Sequence, residues 1–396
     1  MATFVNERSV SAAEAAAVTD PMEEVDNKAP REDGAANDAE SGTPDPESEG
    51  KPSEMTSKDY YFDSYSHFGI HEEMLKDEVR TMSYMNAIEH NKHLFAGKVV
   101  MDVGCGTGIL SMFAVRAGAK QVIGIECSTI IEQARKIVEA NGFTDRITLI
   151  KSKCEDIADL EALAGVSKVD IIISEWMGYF LLYESMLDTV IYARDRWLKE
   201  GGLMLPDKAT LFVGAIEDEQ YKKEKIDFWD EVYGFDMSVI KEIALTEPLV
   251  DVVEGKAVVT DCPPILSLNL ANCKKEQLQF KSEFVLTARR NDFVHALVAY
   301  FDCQFSQAGG TLYCGGEGCL HKPVRFSTGP FTEYTHWKQT VFYLRQPLTI
   351  CKGESIKGKI TVKPNDKNPR DLDISLRLDH QGSVMSLHAT QEYRLR

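Results

Sequence analysis

The sequence predicts an α/β chain: a parallel, doubly wound sheet, followed by a β-rich domain that carries a helical insertion. Three observations predict it. Short apolar runs alternate with helix-forming runs from about residue 96 to 205, the pattern of β–α–β units. One run, Val99-Val100-Met101-Asp102-Val103, leads into Gly104-Cys105-Gly106-Thr107-Gly108 and then a helical stretch, so strand, tight turn and helix N-terminus follow one another. After Gly201-Gly202-Leu203-Met204-Leu205-Pro206-Asp207 the alternation stops, and β-favouring runs separated by turn residues take over, as in a sandwich or barrel.

The bulk properties set limits. A chain of 396 residues can bury a large core and divide into two or three domains. No run of 18 apolar residues occurs, so no membrane span is expected, and the start lacks a basic-then-apolar leader pattern. The nine scattered cysteines are an odd number, which suits reduced thiols in the cytoplasm or nucleus better than a disulfide framework. A formal charge of −18 argues against direct nucleic-acid binding and favours a cationic partner.

Residues 1–55 hold 14 acids against 4 bases and few large apolar residues, so an acidic, disordered tail is expected. Residues 56–95 open with four aromatics in Tyr60-Tyr61-Phe62-Asp63-Ser64-Tyr65. Ile70, Met74, Leu75, Val79, Met82 and Met85 then recur at helical steps. His71, Asp77 and Arg80 interrupt this pattern and read, from spacing alone, as a solvated face. From 96 to 205, strands are expected at 99–103, 122–125, 147–151 and 170–174, with helices near 110–117, 130–141 and 185–198. From 206 onward, strands are expected at 210–216, 280–287, 296–305, 339–344, 356–362 and 372–378. An aromatic helical excursion spans about 218–245. Its many large apolar side chains serve self-association or pack back on their own domain.

Three places carry chemistry. Glycines at 104, 106 and 108 allow positive φ and close ligand approach at a helix N-terminus. A dinucleotide fingerprint would need glycine at 109, where Ile109 stands. With Asp102 ahead of the turn, and Glu126 ending the next strand where a carboxylate meets ribose hydroxyls, the spacing fits S-adenosylmethionine. Glu155 follows the third strand and could reach the adenine. The fourth strand ends in Ser174-Glu175-Trp176-Met177-Gly178-Tyr179-Phe180-Leu181-Leu182-Tyr183-Glu184. Two carboxylates facing each other there would repel without a cation between them, and a guanidinium fork fits. An Asn/Asp-Pro-Pro-aromatic motif, expected of nucleic-acid amino-methylation, is absent. Finally, Tyr334-Thr335-His336-Trp337 places a lone histidine among aromatics. The loop 307–325 before it holds Cys314, Cys319 and His321 at spacing unlike a metal site, and no metal is expected.

Together, the block Tyr61–Asp77, the glycine turn, the Glu175–Glu184 loop and Thr335-His336-Trp337 resemble the protein arginine N-methyltransferases, type I. The resemblance runs from about residue 57 to the C-terminus. It implies a class I, Rossmann-like methyltransferase domain (96–205) behind an N-terminal lid (56–95). A β-barrel-like domain (206–396) with the excursion as dimerisation arm would follow. It implies that Glu175 and Glu184 hold the substrate guanidinium and that Asp77 and His336 pair across the domain boundary. Tyr61, His71, Met74, Arg80, Asp102, Gly104, Gly106, Glu126 and Glu155 would bind S-adenosylmethionine, with Arg80 on its carboxylate and S-adenosylhomocysteine as product. Tyr65, Met177 and Trp337, with Met74, would line the arginine slot. The implied substrates are Arg-Gly-rich RNA-binding proteins and histone tails, methylated to asymmetric dimethylarginine by a homodimer or larger homo-oligomer. Cys105 departs from the smaller residue usual between the first two glycines.

Overall fold

The structure is a computed structural model that describes residues 65–306 and 322–396. The expected acidic tail, Tyr61 and most of the loop 307–325 lie outside the described residues. Two helices open the described residues, α1 (Phe68–Lys76) and α2 (Glu78–Glu89), then a short α3 (Lys92–Phe95). The break between α1 and α2 falls at Asp77, which leaves helical dihedrals and accepts the Arg80 backbone N–H on its own carboxylate, an N-cap. The single amphipathic helix expected here is thus two. The polar positions are not solvated: His71, Asp77 and Arg80 are buried, while of the expected apolar stripe Leu75 and Met82 are exposed and Val79 and Met85 pack against the core. His71 and Arg80 line the cavity described below and Asp77 bonds to His336, so the face expected to be solvated is the one that meets the site.

The α/β unit follows: β1 (Val99–Val103), α4 (Ile109–Arg116), β2 (Gln121–Glu126), α5 (Ile130–Ala140), β3 (Ile147–Lys151), α6 (Leu160–Ala164), β4 (Val169–Ile173), α7 (Met186–Trp197) and β5 (Leu198–Leu205). The sheet runs β3-β2-β1-β4-β5 and is parallel throughout. Strand order reverses at β1, so a crevice opens at the carboxyl ends of β1 and its neighbours. Those ends carry the glycine turn, Glu126, Glu155 and the loop from Ser174. The expected strands lie within a residue of the observed ones. The expectation that alternation ends at Gly201 missed β5, because Gly201 and Gly202 interrupt its pattern.

The rest of the chain is antiparallel. One sheet orders β7 (Leu249–Asp251), β12 (Gln339–Ile350), β10 (Asp292–Phe305), β6 (Lys208–Ile216) and β8 (Pro264–Asn269), with β11 (Val324–Ser327) also paired to β10. A second orders β15 (Ser386–Leu395), β14 (Leu372–Gln381), β13 (Ser355–Pro364) and β9 (Phe280–Thr287). Burial alternates along β13 and β14, so each presents one apolar face, and both sheets feed one core. Phe342 of β12 meets Tyr393 of β15 ring to ring. Between β6 and β7 lies the excursion, with α8 (Glu219–Lys225) and α9 (Ser238–Ala244). Ile226 and Val232 pack inward, so part of the segment packs back on its own domain, while Tyr233, Phe235, Val239 and Ile243 are exposed.

Candidate active site

The glycine turn sits at the end of β1 with φ of +73° at Gly104, +52° at Gly106 and +84° at Gly108. All three are left-handed, where a side chain is strained. A Cβ on Gly104 would also stand 2.3 Å from Met186 Cε of α7. The turn is fastened to β2, since the Gly104 and Cys105 N–H groups donate to the Ile125 carbonyl. Glu126 forms its rim. One carboxylate oxygen accepts the Gly106 N–H at 3.1 Å and the other the Ser128 N–H at 2.8 Å. Cys105 fits because β2 has Gly124 beside it: a Cβ there would come 3.0 Å from the sulfur.

Asp102 behaves differently from its expected role. It is fully buried, accepts the Ser111 hydroxyl at 2.7 Å and does not line the cavity. Burial pushes its carboxyl up to about 7, against the Ser111 hydrogen bonds and with help from the Glu126 charge. It braces β1 against α4. His71 does face the turn. Its ring lies 3.3 Å from the position of a Cβ on Gly106, and its Nε2 is 2.9 Å from the Tyr65 carbonyl oxygen. Glu155, after β3, accepts the Thr189 hydroxyl of α7 at 2.7 Å.

The loop after β4 is a tight, knotted turn. A Cβ on Gly178 would lie 2.1 Å from the Tyr183 carbonyl oxygen, and Gly178 N–H donates to Leu181. Four residues other than glycine hold positive φ: Phe180 (+52°), Leu181 (+66°), Glu184 (+75°) and Ser185 (+57°). Each costs about 1–3 kcal/mol and persists only where surroundings over-determine it. Buried Phe180, Leu181 and Leu182 supply part of that constraint, with Phe180 edge-on to Phe342 at 5.3 Å.

The two glutamates of this loop have different partners. Glu175 accepts Arg80 Nε at 2.9 Å, with both side chains under a tenth exposed. Arg80 Nη1 also donates to the Met74 carbonyl. In this arrangement Arg80, expected on the cofactor carboxylate, is committed to Glu175. Glu184 accepts the Tyr65 hydroxyl at 2.9 Å. Across the domain boundary, Asp77 Oδ2 accepts both the His336 backbone N–H (2.9 Å) and ring Nδ1 (2.7 Å). Burial opposes the charge on Asp77, but its hydrogen bonds from His336 and Arg80 outweigh this and hold the carboxyl below the ordinary range. Trp337 donates Nε1–H to the Met177 carbonyl at 2.7 Å and stacks on Phe326.

These groups surround one cavity of about 740 Å³. Tyr65, His71, Met74, Arg80, Gly104, Gly106, Glu126, Glu155, Glu175, Met177, Glu184, His336 and Trp337 all line it; Asp77 stands behind His336. Sequence reasoning missed Met186 and Thr189 on α7, Cys127 and Cys154, and Lys275, Asn368, Pro369 and Arg370 from the second domain. Only Cys127 and Cys154, adjacent to Glu126 at the end of β2 and to Glu155 after β3, had a sequence signal. The left-handed turn, the rim carboxylate and an enclosure of this volume suit an adenosyl cofactor with a cationic group beside it.

Known proteins agree. A family model described as a methyltransferase domain matches residues 100–202, and one described as an arginine methyltransferase oligomerization subdomain matches 207–383. Protein arginine N-methyltransferase 1 of Chlamydomonas reinhardtii is 56% identical over 343 residues, 87% of this chain and 94% of that protein. Its Schizosaccharomyces pombe namesake is 59% identical over 322 residues, 81% of this chain and 90% of that one. Among solved structures, a Trypanosoma brucei PRMT1 enzyme–prozyme heterotetrameric complex with AdoHcy has a TM-score of 0.78 at 50% identity, covering 84% of this chain and all of that one. Arabidopsis thaliana protein arginine methyltransferase 10 has a TM-score of 0.75 at 29% identity, covering 85% and 100%.

Proposed function

The chain belongs to the protein arginine N-methyltransferases, and from that premise we propose how its residues divide the work. It is a type I enzyme that uses S-adenosylmethionine to methylate arginine guanidino nitrogens in proteins. The bound cofactor supplies a methyl group already activated on a sulfonium, which leaves the protein to align and to stabilise charge. Gly104, Gly106, His71, Glu126 and Glu155 hold the cofactor, and Arg80 and Met74 flank it. Asp102 supports the turn from behind.

Glu175 and Glu184 grip the substrate guanidinium. A guanidinium does not deprotonate near neutral pH, so the glutamates draw positive charge toward one nitrogen and leave lone-pair density on the other. The departing proton has His336, oriented by Asp77, as its route. Tyr65, Met177 and Trp337 wall the slot. The observation that carries this reading is that both glutamates line the same cavity as the left-handed glycine turn. The product is monomethyl and then asymmetric dimethylarginine, in Arg-Gly-rich and histone-tail substrates whose positive charge suits an acidic chain. The exposed apolar excursion forms a homodimer or larger oligomer. No helix among the described residues is long and apolar enough to cross a membrane. The free cysteines among the described residues fit a cytoplasmic and nuclear setting.

The test is mass spectrometry of an Arg-Gly-Gly peptide incubated with enzyme and S-adenosylmethionine. The expected result is mass gain in single-methyl steps, with dimethylamine lost on fragmentation. Loss of monomethylamine from a dimethylated product would overturn the asymmetric assignment. In parallel, Glu175→Gln should lower kcat by about 10²–10³-fold while cofactor affinity by calorimetry stays near the parent's. Collapse of cofactor affinity would mean Glu175 serves the cofactor instead.

A further inference from the structure

We infer that Arg370, on the loop 365–371 between β13 and β14, is a positioning residue that fixes Glu184 from the second domain. Glu184 and Ser185 both hold left-handed backbone without being glycine, so something must clamp them. Three hydrogen bonds from this one loop do so. The Glu184 N–H donates to the Arg370 carbonyl at 2.9 Å, Arg370 Nη1 donates to the Glu184 carbonyl at 2.7 Å, and the Ser185 hydroxyl donates to the Pro369 carbonyl. Arg370 therefore holds both backbone polar groups of Glu184. The guanidinium–carbonyl bond is charge-assisted and correspondingly strong.

The clamp is itself stiff. Asn365 accepts the Lys367 and Asn368 N–H groups and donates to Asp373 on β14. Asn368 accepts the Arg370 N–H and donates to the Asp371 carboxylate. Side-chain turns of this kind pre-set a loop's conformation. Arg370 also lines the catalytic cavity, beside Asn368 and Pro369. With Tyr65 holding the Glu184 carboxylate from the N-terminal side, the glutamate is pinned at its backbone by one part of the chain and at its tip by another. Arg370 touches no reacting atom in this assignment; it acts through Glu184.

The inference rests on Glu184 gripping the guanidinium. The test uses the full chain, S-adenosylmethionine carrying a tritiated methyl group, and an Arg-Gly-Gly peptide, in single-turnover and steady-state modes. Arg370→Ala should lower kcat by about 10–100-fold, the scale of a misplaced catalytic group, with cofactor affinity and melting temperature near the parent's. Arg370→Lys, which keeps a cationic donor, should recover part of the loss. In a Glu184→Gln background the Arg370→Ala loss should vanish, because the residue it positions no longer works. Arg370→Lys is measured in both backgrounds too, so a poorly folding alanine variant leaves the comparison readable. Equal losses in both backgrounds, or cofactor affinity falling in step with turnover, would overturn the assignment. Unchanged turnover in Glu184→Gln alone would sink the guanidinium grip, and the Arg370 inference with it.

Discussion

Two buried acids near the cavity end on opposite sides of the ordinary carboxylate range. Asp102 is pushed up to about 7 because burial prevails over the Ser111 hydrogen bonds. Asp77 is held low because its hydrogen bonds from His336 and Arg80 prevail over burial. The linkage signs differ accordingly. With a folded value raised above the unfolded carboxyl near 3.9, Asp102 contributes stability that is present in full at low pH and lost as pH rises through about 7. Asp102→Asn removes that dependence. Its melting temperature relative to the parent should therefore be most favourable at pH 8 and drop toward pH 5, with cofactor affinity little changed. Asp77 contributes stability above the unfolded value that is lost as pH falls through its depressed one. Asp77→Ala deletes a helix N-cap and two bonds to His336, and should cost about 2–4 kcal/mol in denaturant titration at neutral pH. That deficit should shrink in strong acid.

At the scale of elements, the knotted loop after β4 shows what sequence patterns carry and what they omit. Its two glutamates and its glycine were legible, and so was its place at a strand's carboxyl end. Its backbone was not, because Phe180 and Leu181 are bulky residues that give no hint of positive φ. They adopt it because burying them in the core holds the turn. Gly178 is where the knot is tightest. Gly178→Ala should cut turnover by at least about 100-fold while the far-ultraviolet circular dichroism and cofactor binding persist, since the clash is with the Tyr183 backbone. The strands β1, β2 and β4 were legible because each carries a largely apolar run buried on both faces, and the half-buried edge strand β3 because Ile147, Leu149 and Ile150 mark it. The strand β5 was hidden by its glycine pair, and β15 by an edge pattern of alternating polar residues. The first two helices had the right period, but His71, Asp77 and Arg80, which spacing alone put on a solvated face, are buried at the site.

At the scale of the whole molecule, the site is assembled from segments far apart in the chain. The lid provides Tyr65 and Arg80, the α/β unit the glycine turn and both glutamates, and the antiparallel domain His336, Trp337 and Arg370. Charge and composition pointed to a cationic protein substrate, but no local pattern marked the loop 365–371. The excursion between β6 and β7 exposes Tyr233, Phe235, Val239 and Ile243, four large apolar side chains on one segment, unusual for a surface left open to water. Replacing Tyr233 and Val239 together by Glu should lower the sedimentation coefficient to that of a single chain, while the melting transition of the α/β unit remains.

The pairing of Asp77 with His336 spans 259 positions, and that separation has a consequence for how the enzyme comes into being. Synthesis runs from the N-terminus, and domains fold largely as they emerge. A ribosome that has just released the α/β unit has made the cofactor turn and both glutamates, but neither the histidine nor the clamp on Glu184. The full set of groups lining the cavity is present only once the chain has emerged through Arg370.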